Sequence, residues 1–481
     1  MTDINEIISE LKQEKSITLR SNQIEPTAKA IDYLSNDKNS GKPALIVLPT
    51  AWGKSILTSF AAKHLDEKLL ILQPSKELLS QNYQKYCNLC VWDINVGIYS
   101  ASFGRRDINK ITYATIGSIK NLGKLFRQLG FKKMLIDEAH LYPREADSML
   151  GTFLAESGIT HVLGITATPV KLQQNTDMSG NRFSKLVMLT SKSKKGNFFK
   201  EIIHVGQVGE MVEMGFWSRL EYQTVGFDGS LLAFNSSKSE YTEDSVERAF
   251  GANNIHDKIK SQLNSSSDRQ HILVFVPSVS EAVELSRQYP NSAAIYGEMN
   301  KVERAGVIDD FRKGKIRVIF NVRVLSTGFD YTGIDCIILG ISTASIALYY
   351  QILGRGTRID ADKKNCLIVD LAGNVERFGR VEDIVFEKST VWRMYGTDGK
   401  LLTGIPVHEI GTIKRENIIA GTMATAAAKK TSRSINVEIM PFGKYKGHKI
   451  TDIPKAYRNW MIDNINWHAG NENLRRAIMG I

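Results

Sequence analysis

Cysteine is nearly absent from this chain. Four thiols in 481 residues provide no disulfide framework, which leads to the expectation of a reducing, cytoplasmic setting. Cys87 and Cys90 have the spacing of a metal pair, but no second Cys/His pair accompanies them. Cys336 and Cys366 lie in apolar runs, so buried thiols are expected for all four. No apolar run approaches the ~20 residues that span a bilayer, and Met1 to Lys15 mixes acids with bases and has no signal-peptide core. No membrane association is expected. The tail carries Asp452 and Asp463 without the grouped carboxylates that two catalytic metals need, which counts against a nuclease.

A chain of this length exceeds one hydrophobic core, so two or three domains are expected, and 42% apolar with 23% charged residues reads as globular. The net charge is +11 and unevenly spread: residues 396–481 hold 13 Lys and Arg against 7 Asp and Glu. A basic tail suits a polyanionic partner, although a solvated basic face has the same composition.

The run Ala44 to Leu48 leads into Pro49-Thr50-Ala51-Trp52-Gly53-Lys54-Ser55 and a helix-like segment, Ile56 to His64. This is the layout of a phosphate-binding loop, where backbone N–H groups at a helix N-terminus surround a phosphate. Thr50 lies in that loop, Lys54 would reach the β- and γ-phosphates, and the Ser55 hydroxyl would hold magnesium. Gly53 lets the chain turn without a side chain striking the nucleotide. Leu48 departs from the pattern, which has Gly or Ala there. Trp52 reads equally as core or as part of the loop.

Further strands are expected at 69–72, 111–114, 134–136 and 161–165, each followed by polar residues. Residues 171–196 read as loops and a lid, and 223–250 as a connector. A second alternating series follows at 272–276, 293–296, 318–321, 336–339 and 367–370. Such alternation predicts parallel sheets covered on both faces, with ligands at the carboxyl ends of the strands. Asp137 and Glu138, about eighty residues after Lys54, end one strand. Adjacent residues of an extended strand end point in opposite directions, so one carboxylate can serve magnesium and the other an attacking water. Arg355 and Arg358, spaced for one face of a helix, suit phosphate oxygens or a surface ion pair.

Taken in order, Gln23, the Pro49–Ser55 loop, Asp137-Glu138-Ala139-His140, Thr166-Ala167-Thr168, Ser326-Thr327-Gly328-Phe329-Asp330 and Gln351 to Arg358 resemble the motifs of a superfamily-2 DExH-box helicase, over roughly residues 19–375. The resemblance implies an α/β fold with two tandem RecA-like parallel-sheet domains, at 1–222 and 251–395 around a linker at 223–250. An extension at 396–435 and a small C-terminal α+β module at 436–481 complete the expected organisation. ATP and magnesium are the implied cofactors. Gln23 and Arg20 would lie at the adenine, and Thr50, Gly53, Lys54 and Ser55 at the phosphates. Ser55 and Asp137 would hold the metal, and Glu138 would be the base. His140, Thr166, Ala167 and Thr168 would couple nucleotide state to domain movement. From the second domain Gly328, Asp330 and Gln351 would complete the nucleotide site, with Arg355 and Arg358 at the γ-phosphate. Pro74, Ser75, Lys76, Thr115 and Thr327 match positions that contact nucleic-acid backbone. Asn321 stands where many relatives have Thr.

The Thr-Gly-Phe-Asp and Gly-Arg-Gly-Thr-Arg wording most resembles bacteriophage branch-migration and fork-remodelling helicases. That implies single-stranded and branched DNA, other replication or recombination proteins as partners, and a bacterial or phage-infected host cytoplasm. An RNA helicase and a duplex-DNA translocase that separates no strands are the rival readings. The segment around Phe442-Gly443-Lys444-Tyr445-Lys446-Gly447 resembles a small module of DNA-processing proteins. Its Lys444 and Lys446 among aromatics suit phosphate tracking and base stacking; a mini-domain with Phe442, Tyr457 and Trp460 as core fits equally.

Overall fold

The computed structural model describes residues 4–13, 19–90, 95–142, 147–177, 179–191, 197–325, 331–411, 440, 445, 448–464, 474 and 478–479. They fall into two compact units, Met1–Lys414 and Arg415–Ile481.

The first unit opens with strands β1 Ala44–Val47, β2 Leu69–Leu72, β3 Val96–Ser100, β4 Arg105–Arg106, β5 Ile111–Ala114, β6 Lys133–Asp137 and β7 His161–Thr166. After a hairpin, β8 Val170–Thr176 and β9 Arg182–Met188, comes β10 Glu201–Val205. The first sheet has the order β10-β1-β7-β6-β2-β5-β3-β4, parallel throughout except for β3–β4. The second sheet comprises β11 Leu220–Thr224, β12 Ile272–Phe275, β13 Ser292–Ile295, β14 Val318–Asn321, β15 Cys336–Leu339 and β16 Cys366–Asp370. Its order is β11-β16-β15-β12-β14-β13, all parallel.

Strands β1, β2, β12, β14 and β15 are buried at every residue. Continuous apolar runs, rather than alternating ones, are what a parallel sheet with helices on both faces requires. Phe126, Phe131 and Phe153 fill the core beside the first sheet, and Ile255, Ile259, Phe250 and Phe320 that beside the second. Serines at the strand-to-helix turns hold the helix starts: Ser75 accepts from Leu78 N at 3.2 Å and Ser345 from Leu348 N at 3.2 Å.

Several expectations need correction. Residues 170–188 form an antiparallel hairpin, with Val170 opposite Met188 and Thr176 opposite Arg182, where loops and a lid were expected. The second sheet recruits its edge strand from Leu220–Thr224, ahead of the expected boundary at 251, and the expected connector contains the helix Glu243–Ala252. Beyond β16 a second hairpin, β17 Val385–Lys388 with β18 Trp392–Tyr395, precedes the described residues up to 411. Cys336 and Cys366 are buried, but Cys87, on a helix whose inner side is taken by Leu79, Asn82, Tyr86 and Leu89, and Cys90, just past its end, are only partly covered.

In the second unit, Met440, Ile450, Ile453, Met461, Leu474 and Ile478 form an aliphatic core, with Tyr445 and Tyr457 packed against it. Tyr457 joins this core as expected; Phe442, Lys444 and Lys446 lie outside the described residues. Helix Lys455–Asn464 is its longest described element.

Candidate active site

Strand β1 lies between β10 and β7, so the loop that follows it emerges at the first sheet's carboxyl edge, one strand in from β10. Leu48 extends the strand: it is fully buried, and its N–H donates to Thr166 O at 3.0 Å. An apolar residue is accommodated there because the position faces the core. The loop turns through Ala51 at φ 58° and Gly53 at φ 98°, then enters helix Lys54–His64. A side chain at Gly53 would meet Gln23 Nε2 at 2.5 Å, so the glycine is required both by its left-handed backbone and by this neighbour. Trp52 is 2% exposed, and a Cβ at Gly206 would strike its ring at 2.6 Å; it is core.

Gln23 binds this loop from below. Its Nε2 donates to Trp52 O at 2.7 Å and its Oε1 accepts from Arg20 N at 3.0 Å. Arg20 Nη2 donates to Trp52 O at 2.6 Å and Ala51 O at 3.2 Å, and the guanidinium lies over the Phe216 ring, 4.5 Å from its centroid. Trp217 Nε1 donates to Thr50 O at 2.9 Å. Phe216 and Trp217 were not anticipated, being distant in sequence from every motif.

Glu138 takes φ 46°, a left-handed turn rather than an extended strand end, and this brings its carboxylate onto the Lys54 ammonium. Asp137 points elsewhere: Oδ1 accepts from Glu138 N at 2.9 Å and Oδ2 from Asn82 Nδ2 at 3.0 Å. Burial, with the Glu138 charge next, pushes the Asp137 carboxyl up to about 6. Burial opposes ionisation at Glu138 too, but Lys54 above all, then His140 and Arg355, outweigh it and hold Glu138 below its ordinary value. His140 Nδ1 lies 2.8 Å from Thr166 Oγ1, which accepts from Thr168 N at 3.1 Å. Thr166, Ala167 and Thr168 are all buried.

From the other lobe, Gln351 Nε2 comes within 3.3 Å of His140 Nε2. The helix Ile346–Leu353 ends before the two arginines, so Arg355 and Arg358 project from the turn that follows it, not from one helical face. That turn approaches closely: a Cβ at Gly354 would meet Thr50 Oγ1 at 2.7 Å. A cavity of about 560 Å³ is lined from the first lobe by Arg20, Thr50, Gly53, Lys54, Ser55, Asp137 and Glu138, and from the second by Gln351, Arg355 and Arg358. Pro74 and Ser75 reach it as well, and so do Asn82, Lys85 and Phe216, which sequence reasoning missed.

Oxygen donors from Ser55 and Asp137 suit a hard cation such as magnesium. Lys85 donates to Ser55 Oγ at 3.2 Å, so positive charge already stands beside that hydroxyl. A buried carboxylate raised towards neutrality is also the state that a bound cation relieves. Among the DNA-contact positions, Lys76 Nζ sits 4.7 Å from the centroid of the Phe103 ring and Thr115 Oγ1 lies 2.9 Å from Ser118 Oγ. Neither lines the cavity. Thr327, Gly328 and Asp330 lie outside the described residues. Asn321 Oδ1 accepts from Val324 N and Leu325 N at 3.2 and 2.9 Å, which tightens the turn after β14.

Comparison with known proteins supports this layout. The family described as type III restriction enzyme, res subunit, matches residues 16–171, and the helicase conserved C-terminal domain matches 254–360. A family described as a quorum-sensing-regulated virulence factor matches 429–471. The Schizosaccharomyces pombe protein named as mitochondrial ATP-dependent helicase irc3 is 27% identical over 357 residues, 71% of this chain and 56% of that protein. The ATP-dependent DNA helicase Hel308 of Pyrococcus abyssi is 22% identical over 378 residues, 74% of this chain and 51% of its own length. The chain therefore spans little more than half of either relative. Among solved structures, the DNA-bound type ISP restriction-modification enzyme LlaBIII aligns with a TM-score of 0.52 at 18% identity, covering 75% of this chain and 28% of that one. The fold is thus α/β with two tandem RecA-like domains, and the two helicase-type family matches fall in sequence on its two sheets.

Proposed function

We propose that this chain is an ATP-dependent DNA helicase or translocase that acts on branched DNA. The observation that carries the reading is the shared cavity, where Lys54 and Glu138 of one lobe meet Arg355 and Arg358 of the other. Lys54, with the backbone N–H groups of the loop, would take the phosphates. That would draw Lys54 away from Glu138, which is left ionised to accept a proton from the attacking water. Magnesium held by Ser55 and Asp137 would neutralise phosphate charge. Arg355 and Arg358 would meet the charge that develops on the terminal phosphoryl group, so hydrolysis needs both lobes closed. His140 touches Gln351 on one side and Thr166 on the other, a polar chain along which nucleotide state would reach the first lobe's interior.

Branched DNA as substrate rests on the motif wording and the basic tail. It is tested by ATPase stimulation and unwinding on single strands, forks, four-way junctions and RNA side by side. Strongest stimulation and unwinding with forks or junctions is expected. Preference for RNA overturns the DNA assignment, and hydrolysis on duplex DNA without strand separation overturns the helicase assignment.

A further inference from the structure

Helix Lys76–Leu89 buries Leu79, Asn82, Tyr86 and Leu89, the spacing of one helical face against a sheet. Asn82 is the polar member of that seam and is only 5% exposed. A buried amide costs stability unless its hydrogen bonds are met. Here Asn82 Nδ2 donates twice, to Gln73 Oε1 at 2.9 Å and to Asp137 Oδ2 at 3.0 Å.

The two partners belong to different parts of the machine. Gln73 continues β2, its N–H donating to Ala114 O at 2.9 Å, and stands immediately before Pro74-Ser75-Lys76. Asp137 is the carboxylate assigned above to magnesium. Because Gln73 presents an oxygen, the Asn82 amide is held with its nitrogen towards Asp137, and one carboxylate oxygen is fixed in place. The same helix begins at the Ser75 cap, so the Pro74–Lys76 loop and Asn82 belong to one continuous element. Groups of this kind, one bond behind a metal ligand, orient the ligand and tune the metal.

We propose that Asn82 is a positioning residue: it sets Asp137 for magnesium and transmits engagement of the Pro74–Lys76 loop to the hydrolytic centre. The inference rests on the ATPase reading of the cavity. The test uses the full chain and its Asn82→Leu variant, with Mn2+ affinity in the presence of ADP read by electron paramagnetic resonance. Metal-free ADP affinity and the ratio of DNA-stimulated to basal hydrolysis are measured alongside. Asn82→Leu is expected to weaken Mn2+ about 10- to 100-fold, to leave metal-free ADP affinity unchanged, and to bring the stimulation ratio close to one. Gln73→Leu is expected to produce a smaller version of the same pattern. Unchanged Mn2+ affinity overturns the proposal, and so does loss of metal-free ADP binding in parallel with Mn2+, the mark of a merely structural side chain. If Asn82→Leu does not fold, Asn82→Ser, smaller at a position that borders the cavity, carries the same expectations. A wild-type chain that binds Mn2+ and ADP without hydrolysing ATP removes the ATPase reading, while the binding comparison still decides the role of Asn82.

Discussion

At the carboxyl edge of the first sheet, Asp137 ends β6 and Glu138 follows it while Lys54 opens the helix after β1, so both charge signs crowd one end of one sheet. The second sheet is built the same way, yet among the described residues its lobe lines the cavity with the polar side chains of Thr332, Gln351, Arg355 and Arg358 and with no carboxylate. The difference teaches a division of labour. In the proposed ATPase reading, one lobe would bind phosphate and activate water, and the other would supply the positive charge that a phosphoryl transition state needs. Neither set is complete, which is how a nucleotide can be made to report the closure of two bodies.

The largest break in this comparison should come from Lys54→Ala, which removes the first lobe's proposed phosphate contact; ATP turnover is expected to vanish, as a phosphate-release assay would show. Glu138→Gln should follow, with ATP still bound in a filter or fluorescence assay but hydrolysis absent. Arg358→Ala tests the second lobe alone: a fall of about 10³-fold or more in turnover is expected, with nucleotide affinity largely retained. Loss of affinity instead would make both lobes binding surfaces and erase the contrast.

A smaller effect concerns stability. The Asp137 carboxyl, raised to about 6 in the folded protein, binds a proton there that the unfolded chain has already released, so its burial weakens the fold as pH rises through that value. Asp137→Asn should therefore melt higher than the native chain at pH 8, by a few degrees, with the advantage shrinking at pH 5 and lost only below the ordinary carboxylate value. Calorimetry at the two pH values checks this. Equal melting temperatures at pH 8 would show that Asp137 is not the strained acid of the first lobe.

Much of this layout could be read from the sequence, because each chemical group lies within a short motif at a strand end or beside a helix. The strands around Lys54, Asp137 and Thr166 and most of the second alternating series are apolar runs closed by polar residues. What was misread has physical causes. The hairpin of β8 and β9 is mostly polar at its exposed positions, Leu172 apart, so it resembled loop. Strand β11 is short and half exposed and draws its stability from pairing with β16, distant in sequence. The arginines share a helical spacing, but Gly354 and Gly356 end the helix there. A Cβ at Gly356 would strike Cys366 Sγ at 2.5 Å, so close packing on β16 rather than periodicity decides the path.

By itself the sequence determined the chemical inventory: a Gly-Lys-Ser loop, an acid pair, a Thr-Ala-Thr segment and an arginine pair, in an order compatible with two parallel sheets. Periodicity and local residue choice carry that information, since each motif is satisfied within a few residues. Only the tertiary structure decided which groups touch. Glu138 turns onto Lys54, Phe216 lies under Arg20, and Asn82 joins Gln73 to Asp137, because these contacts are made between strands and helices far apart along the chain, where buried polar groups find partners that no local pattern records.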